Sequence, residues 1–367
     1  MTTVLISGAS VAGPTLAWWL TRHGYSVTLV ERTPGLRPGG QAIDIRGVAL
    51  EVVSRMGLLP AIEQKRTRMQ GASALDREGK EVWRTNERSF TSGRFDSGDL
   101  EILRDDLVPI LYEATRATGE YIFDNTIAGI QQSEDSVTVE FESGAARRFG
   151  LVVGAAGIYS KTRGLVFGPA ERFLRHLEIY VAIFTVPNTL GLQDRQIAIS
   201  GERSRALICP ARDNSELRVF AGFGSPLLDR DMGVAQQKAL VLEQCSELGW
   251  DMPRLFAAMQ DAPIFYLGPM AQIHMPAWSE GRVTLVGDAG YCPSPMSGQG
   301  TSLALVGAYV LAEELARNRN DHTAAFARYE ARMRPFVDIN QALALRDRGD
   351  DAEGDKAIDE AKNAIAL

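Results

Sequence analysis

The stretch from Thr3 to Glu31 constrains this chain more than any other. Thr3 to Ser7 (TVLIS) is a short, β-branched, apolar run, the pattern of a strand buried on both faces of a parallel sheet. Gly8-Ala9-Ser10-Val11-Ala12-Gly13 follows, close to the GxGxxG fingerprint of a dinucleotide-binding turn. It opens a helix with Leu16 and Leu20 on one face and Gly24 at its end. Ser26 to Val30 reads as the second strand, and Glu31 stands where an acidic side chain accepts a ribose hydroxyl hydrogen bond. Gly8 permits the sharp turn, Gly13 lets helix and strand approach, and the N–H groups around Ser10, Val11 and Ala12 face a pyrophosphate. A carboxylate at Glu31 would repel a 2′-phosphate, so the unit calls for FAD or NAD and not NADP. Ser10 departs from the fingerprint at its middle glycine, and Arg32 is the remaining cofactor candidate of this unit.

A length of 367 residues predicts about two domains with a core that needs no staples. Lys+Arg 39 against Asp+Glu 46 gives a net charge of -7, and no long basic run occurs, which argues against nucleic acid as a partner. Cys209, Cys245 and Cys292 are widely separated and read as reduced thiols, and His23, His176, His274 and His322 offer no paired spacing for a metal. The N-terminus lacks the basic region of a signal peptide, and no run of 18 apolar residues suggests a membrane span, so a cytoplasmic location is expected.

Two later segments carry further chemistry. LVVGAAGIYSKTR, from Leu151 to Arg163, is a buried strand running into Gly154 and Gly157. Arg282 to Gly287 (RVTLVG) is another, delivering Asp288 to a loop with Pro293, Pro295, Gly298 and Gly300. A helix is predicted from about Gly300 to Arg317, with Leu303, Val306, Val310 and Leu311 on one face. With these three motifs in this order, the chain resembles the flavin-dependent aromatic hydroxylases, the single-component class A monooxygenases, over nearly its whole length. The specific signal is GDAGYCPSPMSGQG, Gly287 to Gly300.

The resemblance implies FAD as cofactor, with Asp288 on the ribityl chain and the loop of Pro295, Gly298, Gly300, Thr301 and Ser302 along the pyrimidine edge and pyrophosphate. It adds Arg104, in ILRDDLVPIL, as a flavin contact, and Asp44 and Arg46, in GGQAIDIR, as further ones. The loop assignment has a physical rationale, since flavin reduction puts negative charge on the N1–C2=O edge and a glycine-rich helix N-terminus supplies donors there. The chain departs from the family at Ala156, usually Asp, which bears on nicotinamide handling, and at Gly290 and Tyr291, usually Ala and His. Cys292 invites a covalent flavin link, against which a small buried cysteine is the commoner occupant.

The expected fold is α/β, a discontinuous Rossmann-like FAD-binding domain with a β-sheet substrate domain and C-terminal helices. The divisions expected are residues 1–170 and 276–340 for the FAD-binding domain, 171–275 for the substrate domain and 341–367 for a C-terminal helix. From Arg175 to Phe223, β-branched and aromatic runs predict an antiparallel or mixed sheet. The resemblance makes it a roof over the flavin, with Phe184, Phe220, Phe223, Pro295 and Met296 as substrate-lining candidates. Gln236 to Met259 reads as helical, and the pattern stays helical after Arg317 through Phe336 before a charge run, Asp350, Asp351, Glu353 and Asp355, that reads as a solvated helix.

The chemistry implied is reduction of FAD by NADH or NADPH, addition of dioxygen at C4a, and transfer of the distal hydroperoxide oxygen to a small aromatic molecule. No protein nucleophile is required, and no catalytic residue is assigned. A halogenase is disfavoured by the absence of WxWxIP. Two rival readings stay open: a flavoprotein performing a cyclisation or isomerisation, and a NAD-binding regulatory module.

Overall fold

The structure, a computed structural model, describes residues 2–346 and 351–367. Among these residues the Thr3–Ser7 strand lies at the centre of a six-stranded sheet, between Ser26–Val30 and Leu151–Gly154. Glu120–Ile122 and Val283–Leu285 extend the sheet in parallel, and Ser279–Glu280 closes one edge antiparallel. The central strand is apolar throughout because both faces are covered. Val4 and Ile6 pack with the Ala12–Arg22 and Gly300–Arg317 helices. Leu5 points the other way, into the apolar face of an antiparallel sheet built from Ile127–Gln132, Val137–Phe141 and Ala146–Phe149.

The second large sheet has seven strands, in the order Phe265–Ile273, Leu174–Pro187, Glu216–Gly224, Ser204–Ala211, Arg195–Ser200, Gly71–Leu75 and Glu81–Thr85. The last two strands come from within residues 1–170, the segment expected in the first part of the FAD-binding domain. Gly71–Leu75 pairs parallel with Arg195–Ser200, a long-range choice that no local pattern announces. Gly71 is required there, because a Cβ would overlap the Thr85 carbonyl oxygen, which also accepts a hydrogen bond from the Arg195 guanidinium.

One face of this sheet is buried under the Val234–Gln244 and Met252–Met259 helices. The single helix expected over 236–259 is thus two. The break follows from Gly249 and Trp250: Trp250 takes a left-handed φ of 50° and donates its N–H to the Arg77 carbonyl at 2.8 Å, pinning the linker to a distant turn. On the other face Cys209, Arg218 and Phe220 line a small space shared with Ala42, Glu101 and Leu103.

The C-terminal half of the chain ends in three helices, Gly300–Arg317, His322–Leu343 and Asp351–Lys362. Asp350, from the expected charge run, lies outside the described residues. The last helix is not simply solvated. Ala357, Ala361 and Lys362 are buried, Lys362 Nζ pairs with Asp99 at 3.1 Å, and Asn340 Nδ2 donates to the Ala361 carbonyl at 3.1 Å. No described helix is long and apolar enough to cross a membrane.

Candidate active site

The N-terminal turn is closed to a side chain at both of its glycines. Gly8 has φ +115°, and a Cβ on it would stand 2.6 Å from the Ala155 carbonyl oxygen; a Cβ on Gly13 would overlap the Gly8 carbonyl oxygen. The sequence therefore brings the Ala12–Arg22 helix as near its strand as backbone allows, with Ser10 and Val11 half-buried on the turn. Glu31 Oε2 accepts the Ala9 N–H at 2.9 Å, which fixes the carboxylate beside the turn. Arg32 is exposed to solvent.

Three other segments meet this turn. Val283–Leu285 delivers Gly287, where a Cβ would lie 3.3 Å from Ala12 Cβ and 3.5 Å from Ala304 Cβ. Turn, strand end and the Gly300–Arg317 helix thus converge. Asp288 follows at the strand's end, where burial pushes its carboxyl up to about 6 against a hydrogen bond from Cys292. Its Oδ1 would be 3.8 Å from a Cβ on Gly300. Pro295 is exposed, Met296, Gly298 and Thr301 are half-buried, and Gly298 takes the left-handed φ of 67° that lets the loop enter the helix.

Arg46 ties a third segment to that loop. Its N–H donates to Ser302 Oγ at 3.0 Å, its guanidinium pairs with Asp44 at 2.8 Å, and a Cβ on Gly298 would lie 3.5 Å from it. Asp44 faces Glu101 directly across the Ala42–Ile45 and Leu100–Leu103 strands. Burial, partly offset by Arg46 and reinforced by Glu101, raises Asp44 to about 7. Glu101 is raised as well, by burial, although Thr67 and Thr91 both donate to it.

Arg104 completes the groove from the start of the Arg104–Glu113 helix, bonding only the Gly39 carbonyl among the described groups. Burial, with Arg37 nearby, pushes its guanidinium down to about 10. A half-desolvated cation beside a second one, with no carboxylate bonded to it, is a position that lacks an anion. That deficit, the closely packed glycine turn and the unpartnered buried atoms Asp44 Oδ1 and Arg46 Nε fit a long phosphate-bearing cofactor.

Comparison with known proteins agrees. Residues 1–341 match the family described as an FAD binding domain. A flavin-dependent monooxygenase of an unknown prokaryotic organism is 40% identical, with 93% of this chain and 88% of that protein covered. One from Legionella longbeachae is 39% identical, covering 93% and 87%. The chain belongs to the FAD-dependent monooxygenases.

An uncharacterised protein of Mycobacterium tuberculosis is 52% identical to this monooxygenase, over 94% of the chain and 92% of that protein. The crystal structure of the tetracycline destructase Tet(55) superposes with a TM-score of 0.89 at 35% identity, covering 100% of this chain and 98% of that one. FAD is accordingly the cofactor of this enzyme.

The residues around the groove correct several expectations for the monooxygenase. Phe184 and Phe223 do not face it. With Leu217, Val219 and Ala221 they form the core under the helices, Phe184 touching Phe256 and Phe223 stacking on Tyr180. Phe220 is on the inward face, beside Leu103 and Ala42. The phase was readable in LRVFAGF, where Leu217, Val219, Ala221 and Phe223 alternate with Arg218, Phe220 and Gly222. Tyr266, one strand over from Ile183, was missed because one exposed tyrosine among strand aromatics has no distinguishing pattern.

Cys292 is buried, its thiol bonded to the Ala271 carbonyl at 3.6 Å and raised well above its ordinary range by burial, so it is not presented as a covalent attachment point. Tyr291 packs into the core, 4.5 Å from the Trp278 ring centroid, with its hydroxyl 2.8 Å from that of Tyr329. Ala156 is exposed and abuts Gly8. Arg163 is buried with no carboxylate partner, donating to the Ala289 and Ile158 carbonyls, and thereby holds the 158–163 turn against the start of the flavin loop.

Proposed function

We propose that this monooxygenase uses NADH or NADPH and dioxygen to place one oxygen atom on an aromatic or polycyclic small molecule. The balance is substrate, O2, NAD(P)H and a proton giving oxygenated product, water and NAD(P)+. The supporting observation is the convergence of the Gly8–Gly13 turn, Gly287, Asp288, Gly298 and Arg46, together with a sheet face that carries Ile183, Phe220 and Leu207 half-exposed. Bound FAD would take two electrons from the nicotinamide and activate dioxygen.

The chain's own residues bind, orient and shield. The N–H groups of the turn and Arg104 would hold the pyrophosphate, Glu31 the ribose, and Asp288 the ribityl hydroxyls. The Gly300–Arg317 helix start, together with Arg46, would carry the negative charge that reduction places on the ring's pyrimidine edge. The sheet excludes water from the ring face, which limits wasteful release of hydrogen peroxide.

The test is anaerobic bleaching of the bound flavin by NADH and by NADPH, alone and with a panel of phenols and fused-ring aromatics, followed by admission of oxygen and mass analysis. A product heavier by one oxygen atom and stoichiometric nicotinamide consumption are expected, and the product's connectivity separates hydroxylation from Baeyer–Villiger insertion and epoxidation. Rearranged product of unchanged mass, formed without nicotinamide, would establish the isomerase alternative instead.

A further inference from the structure

The inward face of the seven-stranded sheet changes character row by row. At one end Thr185, Arg218 and Cys209 lie side by side in register and are buried. The Arg218 charge is already used, because it pairs with Glu216 at 2.8 Å and Asp105 at 3.3 Å and donates to Thr185. The next row runs Tyr266, Ile183, Phe220, Leu207 across four strands, half-exposed or exposed and apolar except for one hydroxyl. Beyond it come Gly268, Val181 and Gly222.

The two glycines serve different ends. A Cβ on Gly268 would overlap the Tyr266 hydroxyl oxygen, so the tyrosine ring lies across that glycine with its hydroxyl over Gly268, which pairs in register with Val181. Tyr266 Oη bonds no group among the described residues, and the side chain is 46% exposed on the face that carries Ile183 and Phe220. Gly222 is different: its φ is not left-handed, and a Cβ there would make only ordinary contacts, 3.4 Å from Val181 Cγ2 and 3.8 Å from the Tyr180 carbonyl. Neither backbone nor neighbours demand glycine at this interior strand position, where it weakens the strand. Such a residue marks a close approach by something else.

Resting on the reading above, we propose that the Val181–Gly222 strip and the Tyr266 hydroxyl form the specificity site, which takes a flat fused-ring aromatic without fixed negative charge. The ring lies against the bare backbone of Gly222 and the side chain of Val181, and an oxygen on its edge accepts the Tyr266 O–H. A carboxylate finds no free buried counter-ion on this face: the Arg218 charge is offset by Glu216 and Asp105, though its Nε bonds no group among the described residues, and Arg37 is exposed. Arg205, paired in register with Gly222, is exposed at the rim, where an ion pair is worth little.

The test is titration of the FAD-loaded protein with 2-naphthol, 6-hydroxy-2-naphthoate and phenol, following the flavin absorbance change for Kd. 2-Naphthol is expected to bind tightest. Tyr266→Phe should raise its Kd about three- to tenfold, the effect of one hydrogen bond. Gly222→Val, which the strand accommodates, should raise the 2-naphthol Kd at least about tenfold, through overpacking of the strip, and the phenol Kd much less. Both variants should keep the flavin, as read from their visible spectra. Three results would overturn the proposal: the naphthoate binding more tightly than 2-naphthol, Gly222→Val weakening phenol and 2-naphthol equally, or no response to 2-naphthol. Failure of NADH and NADPH to bleach the flavin would defeat only the earlier reading, because these titrations need no reductant.

Discussion

Replacing Gly13 by alanine tests the pyrophosphate assignment most directly. The added Cβ would overlap the Gly8 carbonyl oxygen, well inside the 3.0 Å that real Cβ atoms respect, and the obstacle is backbone and cannot rotate away. The Ala12–Arg22 helix must back off its strand by about 1 Å, a displacement that overpacked cores absorb for roughly 1–3 kcal/mol. The same shift carries the helix N-terminus away from the phosphates. Loss of one charge-assisted hydrogen bond costs about 1.5–3 kcal/mol, or ~10–150-fold in FAD Kd. The assay is FAD titration of the apoprotein, followed by flavin fluorescence quenching, with urea unfolding alongside to confirm that the variant is folded. A folded Gly13→Ala protein with FAD affinity within about threefold of the parent would refute the placement of the pyrophosphate at this turn.

Asp288→Ala should sharply lower the FAD content of the purified protein, and full retention of yellow colour would remove Asp288 from the ribityl assignment. The Asp44 carboxyl titrates near 3.8 in the unfolded chain and at about 7 in the folded apoprotein. The unfolded state therefore releases this proton first, and stability falls as pH rises from about 4 to about 7 and levels off above, with a slope of at most about 1.4 kcal/mol per pH unit. Asp44→Asn should flatten that decline in urea titrations across this range, and an unchanged slope would contradict it. Lys362→Met strands the buried Asp99 carboxylate, which also accepts the Gly47 N–H at 3.1 Å, so a loss of about 3–5 kcal/mol is expected. An unchanged urea midpoint would show that the last helix does not brace the segment carrying Arg46.

Much of this site was legible because its requirements are local. Gly8, Gly13 and Glu31 are set by turn geometry and spacing, and Asp288 and the 293–302 loop by a strand end running into a glycine-rich helix start. A turn that excludes a Cβ at positions 8 and 13 must carry glycine at both, wherever the rest of the chain goes. The sequence also determined strand and helix types for the long periodic segments, and the phase that puts Phe220 on one face and Phe184 and Phe223 on the other was present in the alternation of the Glu216–Gly224 strand, though the aromatic character of the residues masked it.

Tertiary structure alone decided which distant segments meet. Gly71–Leu75, with its hairpin partner Glu81–Thr85, joins a sheet whose five other strands all lie beyond residue 173, because parallel pairing with Arg195–Ser200 satisfies its backbone. Lys362 leaves solvent because Asp99 waits for it across the fold. Asp44 and Glu101 become an unusual pair of carboxyls only once two strands align them. Local sequence encodes what a residue can do, through its dihedral freedom, polarity and period. Burial, electrostatic company and the empty space beside a glycine are properties of chain segments brought together over long distances, and those are fixed only when the whole chain has packed.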